Sequence, residues 1–142
     1  MSHAGEQGDG NEVVYSERRV VRFQDVDAAG ILFYARTFDY FHDAYVAWLR
    51  ERGAPLESAL RSGEWAAPLH RAEAEYLRPL RFGDALDVAL VSVRVGETEF
   101  TIDYRIDREG ETACVGRTLH VSVDPVTFRR SPVPAPLRAA LE

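Results

Sequence analysis

A run of apolar and aromatic residues at helical spacing constrains the fold of this chain more than any other feature. Residues spaced three and four apart are Phe38, Phe41, Tyr45, Trp48, Leu49 and Arg52. The spacing predicts one long helix whose aromatic stripe, residues 38–49, needs an apolar surface to cover it. Gly53 is well placed to end this helix, and residues 55–60 favour one further short helical turn.

The segments on both sides of the helix have patterns typical of strands. Strands are predicted for residues 14–23, 71–76, 86–92, 100–106 and 112–123, with hairpin turns at 96–97 and 108–110. In the predicted strand 86–92, one face is shared by Leu86, Val88, Leu90 and Ser92. The order of strand, long helix and four further strands indicates the α+β class, with one antiparallel sheet curled around a central helix. The proline-rich stretch 129–136 is predicted to lie extended on the surface.

Length and charge narrow the class of protein further. A chain of 142 residues suits one domain, which we place at residues 13–142 after a polar, disordered leader at residues 1–12. The start lacks the features of a signal peptide and no apolar run is long enough to span a membrane, so a cytoplasmic location is expected. The net charge of −6 argues against binding nucleic acid or membrane surfaces.

The stretch D-V-D-A-A-G, residues 25–30, begins like a calcium-binding EF-hand loop. That loop needs an oxygen ligand and a bidentate glutamate where this chain has Ala29 and Arg36, so calcium is not expected. The simpler interpretation is a polar turn whose aspartates cap the backbone, which we favour for Asp25.

Asp27 has a second interpretation because of the residues on its C-terminal side. Gly30 permits a tight turn, residues 31–34 are apolar, and the long helix begins within a few positions. A carboxylate beside a helix N-terminus is a plausible hydrolytic device, because free N–H groups there can hold an oxyanion. From spacing alone, a capping aspartate is the favoured interpretation of Asp27.

Several other kinds of site lack their sequence motifs. No H-E-x-x-H, paired cysteines, G-x-S-x-G elbow or phosphate-binding loop is present, so we expect neither a metal nor a serine hydrolase. His42 is interpreted as a partly buried polar residue that has a smaller chance of touching substrate. His70 and His120 are expected to be structural, and the single cysteine, Cys114, a small buried hydrophobe.

The stretch V-R-F-Q-D-V-D-A-A-G-I-L-F-Y, residues 21–34, resembles the signature of the 4-hydroxybenzoyl-CoA thioesterase family, which has the hot-dog fold. The resemblance continues through residues 42–49, 72–84 and 121–125. It implies that Asp27 is catalytic, that the Tyr34 backbone N–H binds the thioester carbonyl oxygen, and that Gly30 sets the turn. Val26 departs from the family, where threonine or cysteine is more usual.

The resemblance implies hydrolysis of an acyl-CoA to a free acid, with coenzyme A as part of substrate and product and no added cofactor. Residues 42–49 and 63–69 look most like the 1,4-dihydroxy-2-naphthoyl-CoA branch, which favours an aromatic acyl group. One alternative is a thioesterase acting on an acyl carrier protein. The other is a non-catalytic acyl-CoA-binding module, against which Asp27 argues because binding an anion needs no carboxylate at the reactive end.

The last expectations from the sequence concern the substrate-binding residues and the assembly of the protein. Guanidinium groups suit the phosphates of coenzyme A, although each arginine is as easily a solvated surface residue. The substrate-binding residues predicted are His42, Trp65, Pro68, Arg117, Arg129 and Arg130. The exposed edges of one curled sheet favour edge pairing, and the resemblance implies a dimer or a homotetramer with active sites at subunit boundaries.

Overall fold

The computed structural model describes residues 12–142, so the predicted leader lies outside the described residues apart from Glu12. A short 3-10 turn, Phe23–Asp25, comes after the first strand, which ends earlier than predicted. The elements in chain order are β1 (Tyr15–Val20), α1 (Tyr34–Glu51), α2 (Leu56–Ser62), β2 (Leu69–Tyr76), β3 (Ala85–Val95), β4 (Glu99–Arg108), β5 (Glu111–Val121) and α3 (Ala135–Leu141). The α+β class is therefore confirmed.

The five strands form one antiparallel sheet in the order β1-β3-β4-β5-β2. Strands β1 and β2 are its edges, and each is paired on one side only among the described residues. Between β4 and β5, Glu109 and Gly110 have φ angles of 53° and 80°, which is the left-handed pair that a tight hairpin requires. The predicted turn at residues 108–110 is therefore confirmed.

Helix α1 lies against the inner face of the sheet and forms the core with it. The predicted aromatic stripe is buried, with Phe41, Tyr45 and Trp48 each at most 2% exposed. The facing residues of β4 that share the predicted parity are Phe100, Ile102, Tyr104 and Ile106, all buried. Burial of such side chains stabilises a fold by about 1.5–3 kcal/mol each, so this contact dominates the stability of the domain.

Ser92 does not share the inner face with Leu86 and Leu90, contrary to the prediction. The pairing of β3 with β4 shifts between Leu90 and Ser92, where one extra residue forms a bulge. The Ser92 hydroxyl consequently points to the outer face and donates a hydrogen bond to Asp103 at 2.8 Å. Beyond the bulge, Val93 and Val95 pack against the core in its place.

The C-terminal segment is not wholly extended, contrary to the prediction, because α3 begins at Ala135 and holds Pro136 in its first turn. Leu137 and Leu141 of this helix are buried. Arg52, just after α1, donates through Nε to the Ala140 carbonyl at 2.8 Å and ties α3 to the rest of the domain. Within residues 12–142, no helix combines the length and apolarity needed to cross a bilayer.

Candidate active site

Asp27 lies in the turn between the 3-10 segment and α1, with its side chain exposed. Its Oδ1 accepts hydrogen bonds from the backbone N–H groups of Ala29 at 2.9 Å and Ile31 at 3.2 Å. The backbone N–H of Asp27 donates to the Ile31 carbonyl at 2.9 Å, which closes the turn. Among the described residues Oδ2 accepts no hydrogen bond, so one carboxylate oxygen is fixed and the other is available for chemistry.

Gly30 gives this turn its shape. Its φ of +79° lies in the left-handed region that residues with a Cβ adopt at a cost. Its N–H donates to the Asp27 carbonyl at 2.9 Å, and its carbonyl accepts from the Phe82 N–H at 3.2 Å. Next, Leu32 donates to the Leu80 carbonyl at 2.7 Å, so the chain is anchored on both sides just before α1 begins.

The N-terminus of α1 faces the same cleft as Asp27. Tyr34 is the first helical residue, and its N-cap residue, Phe33, makes no side-chain cap. The cleft has a volume of ≈ 290 Å³ and is lined by both Asp27 and Tyr34. The first N–H groups of a helix have no intrahelical partner and carry its positive partial charge. The structure therefore places both predicted residues, Asp27 and Tyr34, at one cleft.

Tyr76 is a residue of this cleft that sequence reasoning missed. It lies at the end of β2 and donates through its hydroxyl to the backbone carbonyl of Tyr34 at 2.9 Å. This bond links an edge strand of the sheet to the first turn of α1. The only signal for it was its place within the segment 72–84, which gave no indication of a role.

Asp25 does not cap the backbone, contrary to the prediction. Its buried carboxylate accepts from the Tyr40 hydroxyl at 2.7 Å and from Arg22 Nε at 3.1 Å, with Arg36 Nε at 3.9 Å. Burial raises the pKa of this carboxyl, but the hydrogen bonds from Arg22 and Tyr40 outweigh burial and leave the pKa below its usual value. Asp25 fastens the turn to α1, and backbone capping is done by Asp27.

A second, larger cavity of ≈ 740 Å³ lies between α1, α2 and the β2–β5 end of the sheet. The predicted residues His42, Trp65 and Pro68 line it. Backbone bonds hold its wall in place, because Val121 donates to the Pro68 carbonyl at 3.1 Å and Val123 to the Ala66 carbonyl at 3.0 Å. Further lining residues, mostly apolar, are Phe38, Tyr45, Leu56, Ala59, Ala72 and Phe128.

One face of α1 leads from the cleft to the cavity. Tyr34 lines the cleft, and Phe38 and His42, one and two helical turns further on, line the cavity. Residues at this spacing share one face of a helix. A ligand that reaches Asp27 therefore has a continuous helix face leading toward the apolar cavity.

The three predicted phosphate-binding arginines lie in different places. Arg117 is on the outer face of the sheet, donates to Asp103 at 2.7 Å, and does not line the larger cavity. Arg130 pairs with Glu99 at 3.3 Å. Arg129 is the residue after Phe128 in the cavity wall, and its side chain forms no ion pair with any described residue. Their role in binding phosphate remains a prediction.

Other reactive side chains are placed unfavourably for chemistry. Within residues 12–142, no group of three or more His, Cys, Asp or Glu side chains is arranged to hold a metal ion. Cys114 is buried as predicted, and burial raises the pKa of its thiol to about 12. The thiol is therefore protonated at neutral pH and is a poor nucleophile.

Comparison with known proteins identifies the family of the chain. Residues 21–141 match the family described as the thioesterase-like superfamily. A 1,4-dihydroxy-2-naphthoyl-CoA hydrolase of Synechococcus elongatus is 33% identical over 129 residues, which cover 90% of this chain and 95% of that protein.

Solved structures give the same result for the fold. A 1,4-dihydroxy-2-naphthoyl-CoA thioesterase from Synechocystis superposes with a TM-score of 0.83 at 26% identity, covering 89% of this chain and 94% of that one. A gentisyl-coenzyme A thioesterase superposes with a TM-score of 0.78 at 26% identity, covering 89% and 99%. The predicted hot-dog fold is thus confirmed.

Proposed function

The chain belongs to the thioesterase-like superfamily and is a thioester hydrolase, and we propose that it cleaves an aromatic acyl-CoA with Asp27 as its catalytic carboxylate. The observation that carries this proposal is the position of Asp27, whose available Oδ2 shares a cleft with the N-terminus of α1. A nucleophile or base and an oxyanion donor are the two groups that hydrolysis of a thioester needs.

In the proposed reaction the Tyr34 N–H and the positive end of α1 stabilise the carbonyl oxygen as it becomes negative. Asp27 either attacks the carbonyl carbon to form an anhydride, which water then opens, or removes a proton from the attacking water. On both routes the C–S bond breaks and coenzyme A leaves as its thiolate, which takes up a proton released by the reacting water. The thioester is already activated, so neither route requires a cofactor.

The larger cavity supports an aromatic acyl group. Its volume of ≈ 740 Å³ lies within the usual range for a small-molecule site, and Phe38, Tyr45 and Trp65 give it aromatic walls. The relatives named for 1,4-dihydroxy-2-naphthoyl-CoA support the same class of substrate. We therefore place the ring in this cavity and the thioester at Asp27.

The thiol carrier is proposed to be coenzyme A, with an acyl carrier protein as the second candidate. One observation favours the second candidate, because Arg117 and Arg130 are engaged by Asp103 and Glu99 and are not poised for phosphate. The side chain of Arg129, which has no ion-pair partner within residues 12–142 and lies next to Phe128 in the cavity wall, favours coenzyme A.

We further propose that two copies pair through β2, so that each covers the other's cleft. Asp27 is exposed in the single chain, and so are Tyr76 and Leu77 at the end of β2. An unpaired edge strand is a template for pairing, and an oxyanion is stabilised more strongly where bulk solvent is kept away. A dimer joined at β2 serves both needs.

Hydrolysis of a panel of thioesters, with detection of free thiol, tests the proposal. The panel pairs aromatic with aliphatic acyl groups, each on coenzyme A and on pantetheine alone. We expect aromatic acyl-CoA to be cleaved best. Equal rates on pantetheine and coenzyme A would shift the assignment to a carrier protein, and absence of hydrolysis of every thioester would contradict the proposed activity.

A further inference from the structure

Tyr45 places a polar group that bonds to no described residue at the wall of the apolar cavity. Its side chain is only 2% exposed and lines the cavity. It stacks on the ring of His120, with the centroids 4.7 Å apart. Its hydroxyl makes no hydrogen bond to any described residue. Among those residues, Thr37 Oγ1 is the only unpaired side-chain polar atom that is fully enclosed, so the Tyr45 oxygen is accessible. The Tyr45 hydroxyl therefore opens onto the cavity with both its donor and its acceptor capacity unused.

Beside Tyr45, three further cavity residues form a hydrogen-bonded chain. Thr118 Oγ1 lies 3.0 Å from His120 Nε2 and 2.8 Å from the Tyr104 hydroxyl. All three residues line the cavity and are at most 6% exposed. Polar side chains this deeply buried are expected to be fully bonded, so any bonding capacity left over is available to a ligand in the cavity.

The direction of these bonds depends on the state of His120. Burial lowers the pKa of this imidazole to about 4, so it is neutral at pH 7. A neutral imidazole carries one ring proton, so Nε2 either donates to Thr118 or accepts from it. The bond between Thr118 and Tyr104 can therefore run in either direction. In both directions the Tyr104 oxygen keeps an acceptor position, because a hydroxyl has two acceptor lone pairs.

We propose that Tyr45 and Tyr104 form a recognition pair for a hydroxyl group on the ring of the substrate. The ring hydroxyl donates its proton to the Tyr104 oxygen and accepts the proton of the Tyr45 hydroxyl. A hydroxyl is the one common ring substituent that satisfies both positions, because an ether or carbonyl oxygen only accepts. The pair therefore determines specificity for hydroxylated aromatic acyl groups within the proposed function on which it rests.

A ring without a hydroxyl leaves at least one tyrosine of the pair without its hydrogen bond. An unsubstituted ring leaves the Tyr45 hydroxyl buried without a partner, and a methoxy group satisfies Tyr45 but not Tyr104. Leaving a buried hydrogen-bonding group unpaired costs about tenfold or more in affinity. We expect the order of binding to be hydroxyl first, methoxy second and unsubstituted ring last.

The experiment measures binding of free acids to the full chain by calorimetry, so that it does not depend on turnover. The probes are 2-naphthoic acid, its monohydroxylated isomers and their methyl ethers. In the wild type we expect one hydroxylated isomer to bind about tenfold more tightly than 2-naphthoic acid. In Tyr45→Phe we expect this preference to fall to about twofold or less, with affinity for 2-naphthoic acid kept or improved.

Two further variants separate recognition from structure. Tyr45→Phe removes a hydroxyl that bonds to no described residue, so its melting temperature should equal or exceed that of the wild type. Tyr15→Phe, on β1, loses a hydrogen bond to Glu17 outside the cavity and should keep the full preference. Tyr104→Phe should reduce the preference and also the stability, because Thr118 loses one of its two partners.

Two outcomes would overturn the inference: a wild type that binds all the acids equally, or a preference that survives in both Tyr45→Phe and Tyr104→Phe. Failure of the proposed function is separate, because it would show as absence of thioester hydrolysis while the binding preference persisted. Hydrolysis of aromatic acyl-CoA without any change of preference in the variants would contradict the recognition pair alone.

Discussion

Gly116 on β5 lies directly beneath the ring of Phe41 on α1. A Cβ atom at position 116 would fall 2.6 Å from Phe41 Cζ and 3.0 Å from the Glu73 carbonyl oxygen. The same ring stacks on Tyr104 with the centroids 4.4 Å apart. The missing side chain lets α1 approach the sheet closely, and so holds the start of the helix and the residues of the cavity in register.

Gly116→Ala should therefore destabilise the protein by about 1–3 kcal/mol, because a buried aromatic ring has to move to admit the methyl group. Urea unfolding measures this change in free energy. Gly96→Ala is the matched control, since its Cβ would meet only ordinary contacts at 3.5 Å or more. If Gly116→Ala lost no more unfolding free energy than the control, α1 would have moved to admit the methyl group without cost.

Periodicity explains why the main elements were predictable from the sequence and why other features were not. The stripe on α1 and the alternation in β4 repeat over many residues, so they mark their elements clearly. The bulge before Ser92 inserts one residue and leaves no mark on composition. Helix α3, Ala135–Leu141, is too short to show a period.

The residues of the site likewise fall into those that the sequence predicted and those that it did not. Asp27 and Tyr34 were predicted through a local motif, and the cleft unites them. Tyr45 and Tyr104 belong to the same aromatic periodicity as the core, so nothing in the sequence separates them from core residues. Only the packing shows that the Tyr45 hydroxyl has no partner in the described part of the chain.

Asp27→Asn should abolish most turnover and leave the fold intact. The amide oxygen of asparagine can still accept from the Ala29 and Ile31 N–H groups, so the turn is preserved while the reactive oxygen is replaced. Loss of a catalytic acid or base costs about 10²–10⁴-fold in rate. Turnover and circular dichroism are compared for the two proteins, and substantial residual turnover would remove Asp27 from its assigned role.

Asp25→Asn, unlike Asp27→Asn, should destabilise the protein. Its carboxylate is buried and bonded to Tyr40 and Arg22, so removing the charge should cost about 1–3 kcal/mol of unfolding free energy. Chemical denaturation of Asp25→Asn and Asp27→Asn in parallel checks the distinction. Equal stability of the two variants would contradict the structural role given to Asp25.

Gly30→Val should impair turnover more than stability. The left-handed φ of +79° resists a β-branched residue, and its distortion would displace both Asp27 and the Tyr34 amide. Loss of one oxyanion donor costs about 10²–10³-fold in rate. Gly53→Val, which has a φ of +84° at the far end of α1, is the control with similar strain and normal turnover expected. Equal turnover in both variants would disprove this view of the turn.

His120 should make the protein less stable as pH falls from 6.5 toward 4. Its pKa is depressed from 6.5 to about 4 in the folded protein, mainly by burial, so the unfolded chain binds the proton first. The full shift corresponds to roughly 3 kcal/mol, all of it lost by about pH 4. Unfolding free energies of wild type and His120→Gln between pH 7 and pH 4 isolate this contribution from those of other groups. Parallel curves would show that His120 titrates normally.

Assembly should control activity, because the cleft at Asp27 is open in the single chain. Tyr76 links the first turn of α1 to β2, and β2 is the edge strand through which two copies are proposed to pair. Pairing there would hold Tyr76 in place and cover the exposed Asp27 carboxylate.

Turnover per chain should therefore fall on dilution in step with the fraction of dimer measured by sedimentation, while circular dichroism shows the helix content unchanged. A monomer that sediments alone and keeps full activity would refute the dependence on a partner. Loss of helix content together with activity would instead show that the partner supports the fold of the chain, and would equally contradict a role confined to the cleft.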